Sequence, residues 1–154
     1  MGRPWKIAGL GLLAVLIIMQ FFRPEPNDAP LNPEQDMLAL VSPDEDIALL
    51  VRYACYDCHS NQTEYPWYSR VSPVSWYLDR HIREGKVELN FSAYGELDKA
   101  DKIGMFADFC DVLDAGTMPL RSYMMLHASA RLSDEQRELL CDWTETEALK
   151  VMRE

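Results

Sequence analysis

The chain is poor in the residues that most metal-binding and nucleic-acid-binding domains need in number. Its 154 residues include three histidines and four cysteines. Only Cys55 and Cys58 form a C-x-x-C pair, while Cys110 and Cys141 stand alone. A zinc ribbon needs a second such knuckle, so that class is excluded. Positive charge is also scarce, with 15 Lys and Arg against 25 Asp and Glu. The formal net charge is −10; residues 1–23 carry +3 and no acid, which leaves −13 on the remainder. So acidic a body lacks the basic surface that displaces counterions from nucleic acid. It suits docking to a basic partner and keeps the domain soluble. No alternating apolar–polar run marks a strand, and this absence points to an all-α fold.

One long hydrophobic run is present. After Arg3 and Lys6, residues 7–22 are apolar except for Gln20, and Arg23 and Pro24 close the run. It is short for a membrane-spanning helix and long for the core of a cleaved signal peptide. No A-x-A cleavage site comes after it. Residues 1–23 therefore read as an uncleaved signal anchor, a single pass in the cytoplasmic (inner) membrane with its basic end inside. A cleaved signal peptide is the alternative. Either reading puts the rest of the chain on the periplasmic or other extracytoplasmic side, where disulfides and covalent haem both form. Pro24, Pro26, Pro30 and Pro33 mark residues 24–41 as a semi-extended tether. Residues 42–150 are then one domain.

Helix signals punctuate that domain. Ser42 and Pro43, followed by three acids, predict a helix start, with Ile47, Leu50, Val51 and Ala54 at helical spacing behind it. Ser72 and Pro73 predict a second start, and Gly85 its end. A third helix is expected from Asp98 to Ala115, with Ile103, Phe106, Cys110 and Leu113 on one stripe and Gly116 as the stop. Ser133 and Gln136 have capping-box spacing at the start of a last helix, whose expected buried face is Leu139, Leu140 and Trp143.

The first helix runs into Cys55-Tyr56-Asp57-Cys58-His59, a C-x-x-C-H pentapeptide. Two thiols three residues apart on a helical turn can add to the two vinyl groups of haem, and the next histidine then meets the iron from the proximal side. A thioredoxin-like dithiol would follow a strand, and here a helix precedes it. Haem c, one per chain, is the expected cofactor. The sixth iron position has several candidates, among them His81, Met105, Met124 and Met125. Met118, just past a helix stop and stiffened by Pro119, is the favoured distal ligand; His127 is the alternative, and an open position is the third outcome.

These segments, notably "CYDCHSNQTEYPWYSRVSPVSWYLDRHIREGKVELNFS" and "GTMPLRSYMMLHASARLSDEQRELLCDW", resemble the bacterial haem-binding domain family related to class I cytochromes c. The resemblance spans about Asp44 to Glu147. It implies a cytochrome c-like helical domain with thioethers at Cys55 and Cys58, His59 as proximal ligand and Met118 at the M-P position of the distal ligand. It also implies that the last helix crosses the one leading into the haem motif. The aromatic segment between Ser60 and Asp98 departs from class I cytochromes. Trp67 there is expected to line the haem edge and Arg70 to reach a propionate. Cys110 and Cys141, on expected buried faces, are expected to pair as a disulfide.

The expectation is a monohaem c-type cytochrome domain that transfers single electrons to a redox protein partner with a basic docking surface; it is read as an electron carrier and not an enzyme, with a haem enzyme such as a peroxidase as a third class. A haem-based gas or redox sensor with an open or labile distal position is the alternative. Nucleic acid is not expected as a partner.

Overall fold

The structure, a computed structural model, describes residues 3–154; the first two residues of the expected anchor lie outside the described residues. Helix α1 spans Arg3–Met19. Seventeen residues at 1.5 Å each make about 25 Å, short of a hydrocarbon core of about 30 Å. Among the described residues no helix is long and apolar enough to cross a membrane. From Trp5 to Ile18 the apolar side chains of α1 are largely exposed.

The chain after α1 does not hang free. The Gln20 side chain clamps Ser72 in both directions, donating to its carbonyl and accepting from its N–H, each at 3.0 Å. Trp76 Nε1 donates to the Phe22 carbonyl. Asn27 then pins the segment down. Its N–H donates to the Tyr65 hydroxyl (2.7 Å), its side-chain amide donates to the Ser60 carbonyl (2.8 Å) and to Thr63 Oγ1 (2.7 Å), and Lys86 donates to its Oδ1 (2.7 Å). The end of the expected tether is core. Met37 and Leu38, in α2 (Met37–Val41), are buried, and the buried Asp36 caps that helix and accepts from Tyr56 Oη at 3.1 Å. A proline-rich composition allowed an extended path, and side-chain hydrogen bonds turn that path into a strap.

The remaining elements are helical, and no strand occurs among the described residues. Helix α3 is Glu45–Val51, a π-helical turn covers Arg52–Tyr56, and the short α4 is Asp57–His59. Helix α5 is Val74–Glu88, α6 Lys99–Asp114, α7 Arg121–Leu126 and α8 Asp134–Arg153. Helix α8 packs chiefly on α6 and also touches α3. Cys110 and Cys141 join α6 to α8 as a disulfide (S–S 2.00 Å). Edge-to-face contacts of Phe106 and Phe109 with Trp143 fill the space between these two helices.

Several helix signals act as expected. Ser133 and Gln136 form the reciprocal capping box, and Asp98 caps α6. Gly116, at φ 63°, closes α6 with two bonds, its own N–H to Leu113 O (3.0 Å) and Thr117 N–H to Val112 O (3.1 Å). This is the Schellman pattern, which needs a left-handed residue and favours glycine there.

Three signals act differently. Ser42 ends α2 in a left-handed conformation, and Asp44 begins α3. The local pattern of cap and proline cannot tell the end of one helix from the start of the next. Gly85 lies inside α5, because a Cβ there would sit 2.7 Å from the Cys58 carbonyl oxygen. Close approach of α5 to the C-x-x-C-H backbone is its reason, and α5 runs on to Glu88. Leu139 is 42% exposed, so Leu140, Trp143 and Thr144 form the buried face of α8.

Candidate functional site

The C-x-x-C-H segment separates two cavities. The wider one, of about 730 Å³, is lined by Cys55, His59, Met105 and Met118 together with Leu89, Phe91 and residues of α6. Its volume lies within the ~300–1,000 Å³ of cofactor and ligand sites. The narrower one, about 270 Å³, is lined by Cys58, Tyr68, His81, Tyr123 and His127 among others. Cys58 thus belongs to the dividing wall and lines the narrower side.

His59 comes to the wide cavity at the end of α4, just before Ser60 turns the chain into an extended conformation. Its Nδ1 lies 3.2 Å from the Leu89 carbonyl. A carbonyl only accepts, so Nδ1 carries the proton and Nε2 keeps the lone pair a metal needs. Burial holds the imidazole below its ordinary pKa, which favours that neutral form. Phe91 tilts against the imidazole at 6.0 Å and stacks on Tyr56 at 5.2 Å, so the ring rests on the packed core.

The thiols are not poised as a redox dithiol. Burial first, then the neighbouring Cys58, pushes Cys55 up to about 12; burial, then Asp57, pushes Cys58 up to about 11. An attacking dithiol cysteine is shifted the opposite way.

Met118 lines the cavity just after the Schellman turn that ends α6. Its N–H donates to the Val112 carbonyl at 3.3 Å. The buried Pro119 comes next and lines the same cavity. Met105, on α6, is the second thioether in this lining.

His127 lies elsewhere. It lines the narrower cavity, where its Nδ1 donates to the Tyr123 carbonyl (3.0 Å) and its Nε2 accepts from Tyr68 Oη (3.2 Å). The lone pair that would bind iron is already engaged. His81 and Met125 also line the narrower cavity, and Met124 lines neither.

Trp67 and Arg70 do not occupy the positions expected of them. Neither lines the wide cavity; Trp67 is 81% exposed and meets Tyr68 edge-on at 5.8 Å. Both fall in a short 3-10 turn, Trp67–Arg70, which points them outward. Lys86 is the cation in the wide cavity's lining. Sequence reasoning also passed over Leu89 and Phe91, and the signal available was Asn90, whose side chain caps the 3-10 turn Phe91–Glu96.

The donor set fits haem: His59, with no hydrogen bond at its Nε2, shares the wide cavity's lining with the Cys55 thiol and the thioethers of Met105 and Met118, Cys58 sits in the wall next to it, and the mainly apolar lining also holds Lys86, Glu88, Asp101 and Asp108. Residues 14–146 match the family described as Haem-binding domain. The chain belongs to that family. As a haem-binding domain it is all-α, and its match covers the strap and the last third of α1 as well as most of the helical body. No curated protein and no solved structure matches the chain.

Proposed function

We propose that this haem-binding domain is a membrane-tethered monohaem c-type cytochrome that passes single electrons outside the cytoplasmic membrane. One observation carries the reading. Cys55, His59 and Met118, up to 63 positions apart in the chain, line one cavity. In this reading Cys55 and Cys58 hold the haem through thioethers, His59 is the proximal ligand and Met118 the distal one. Bound there, the haem supplies an iron that changes oxidation state by one electron. The chain's own residues do the rest. Leu89 fixes the His59 tautomer, Phe91 and Phe109 keep water from the buried face, and a thioether ligand raises the potential relative to a second imidazole.

The tether rests on α1, whose apolar side chains are exposed along its length, and on the basic residues at its start. It puts the haem domain on the periplasmic side of the inner membrane. The net negative body favours a redox partner with a basic docking surface. The cytochrome c-like architecture is supported by α8 packing against α3, the helix that leads into the haem motif.

Met118→Ala tests the ligand set. The oxidised protein should lose its low-spin spectrum and gain carbon monoxide binding when reduced. An unchanged low-spin spectrum would remove Met118 from the iron. Carbon monoxide binding by the unsubstituted reduced protein would favour the sensor alternative.

A further inference from the structure

The 25 acids of the chain are unevenly spread. Residues 1–24, 65–78 and 115–133 hold none of them. These three stretches carry six Lys and Arg, so with −10 on the whole chain the rest of the protein carries −16. The fold joins the three. Gln20 clamps Ser72, and the Phe22 carbonyl accepts from Trp76, which ties the first stretch to the second. Tyr77 Oη donates to Ser122 Oγ at 2.9 Å and Tyr68 Oη to His127 Nε2 at 3.2 Å, which ties the second to the third. Two of the acids that flank them are already engaged: Asp57 accepts from Tyr123 Oη at 2.6 Å, and Asp79 pairs with Arg83 at 2.7 Å.

The joined region is apolar as well as free of acids. Trp67, Trp76, Met125 and Leu126 are exposed on it, and the exposed Phe21 and Phe22 carry the apolar surface of α1 up to its edge. Arg23, Arg70 and Arg121 are exposed among them. Single apolar side chains are ordinary on a surface. Indole rings beside arginines on an otherwise acidic body are the composition of a bilayer interface, where Trp sits at headgroup level and cations meet anionic phosphates. A basic protein partner suits the −16 remainder of the molecule and is repelled by this face.

We infer that this face lies against the phospholipid surface, with Trp67, Trp76, Met125 and Leu126 in the headgroup–acyl boundary and the arginines on anionic headgroups. The domain is then held flat on the bilayer instead of swinging on a tether, and its acidic remainder is turned toward the redox partner. The inference rests on the tethered reading of the proposed function. Given that reading, the clamp leaves no slack, because α1 ends at Met19 and Gln20 and Phe22 are already bonded to the face.

The full holoprotein is reconstituted in vesicles of phosphatidylcholine and phosphatidylglycerol, floated on a density gradient and given a brief pulse of hydroxyl radicals. Oxidation is read by peptide mass spectrometry. Met125 is more exposed than Met152 on α8, 74% against 56%, so a face open to water makes Met125 the faster to oxidise. Contact with lipid inverts that order: Met125 should react at least about threefold more slowly than Met152, with Trp67 protected beside it. Arg70→Glu with Arg121→Glu should lift the face and make Met125 the faster again, while the chain still floats with the vesicles. Met125 oxidising faster than Met152 in the floated, unsubstituted protein would overturn the inference and leave the tether standing. Failure to float would remove the tether and the inference together. Protection that grows with the protein-to-lipid ratio would assign the face to a second copy of the chain and overturn the inference as well.

Discussion

The two cavities share a wall but are built by different means. The wide one is framed by α6, by the turn that presents Met118 and by the Leu89–Phe91 segment, and it gathers sulfur and imidazole donors. The narrow one is framed by α5, α7 and the Tyr65–Tyr68 segment, and its phenols are bonded within the protein, Tyr68 to His127, Tyr123 to Asp57 and Tyr77 to Ser122. The donors of the first remain available to a metal, and those of the second are partly used within the protein. The same histidine type thus has opposite prospects on the two sides. His59 keeps a free Nε2 because a carbonyl takes its Nδ1–H, whereas the Nε2 of His127 is occupied by Tyr68.

The largest way to break this contrast is through Phe91. It is 1% exposed, stacks on Tyr56 and borders the wide cavity alone. Phe91→Ala should cost about 3–5 kcal/mol in a denaturant titration. It should also loosen His59, while the hydrogen bonds of Tyr68 and His127 persist.

Removing the Cys110–Cys141 bond comes next, because α6 borders only the wide cavity. The bond closes a loop with a sequence separation of 31. Cys110→Ser with Cys141→Ser should lower stability by about 2–4 kcal/mol. Amide exchange should rise in α6 and α8 before it rises in α5.

Gly85→Ala tests the wall itself. The new Cβ would meet the Cys58 carbonyl oxygen at 2.7 Å, and backbone on both sides must give. A loss of about 1–3 kcal/mol is expected. Both cavities should respond, which sets this change apart from the first two.

Much of the wide cavity was legible in the sequence because it is assembled from local patterns. C-x-x-C-H declares its chemistry in five residues. Gly116 and Pro119 announce a turn that holds Met118, and Asp98 and Ser133 announce the helices around it. What was not legible depends on partners distant in the chain. Asn27 reaches Lys86 across 59 positions, and Asp36 reaches Tyr56 across 20. Proline composition suggested a tether, and only these side-chain bonds reveal a strap. Gly85 looked like a helix stop because its real neighbour, Cys58, is far away in sequence. Trp67 and Arg70 were assigned by residue type alone, and the 3-10 turn that carries them faces solvent.

The central claim is that Cys55 and Cys58 hold one haem covalently, with His59 at its iron. The most direct measurement is the intact mass of the full chain produced in a host that exports it and matures c-type haem, taken with a pyridine haemochrome spectrum. The account predicts the mass of the chain plus one haem, a c-type haemochrome, and loss of both in Cys55→Ala with Cys58→Ala. A chain of apoprotein mass, or a haem that dissociates on denaturation with both cysteines intact, would contradict it.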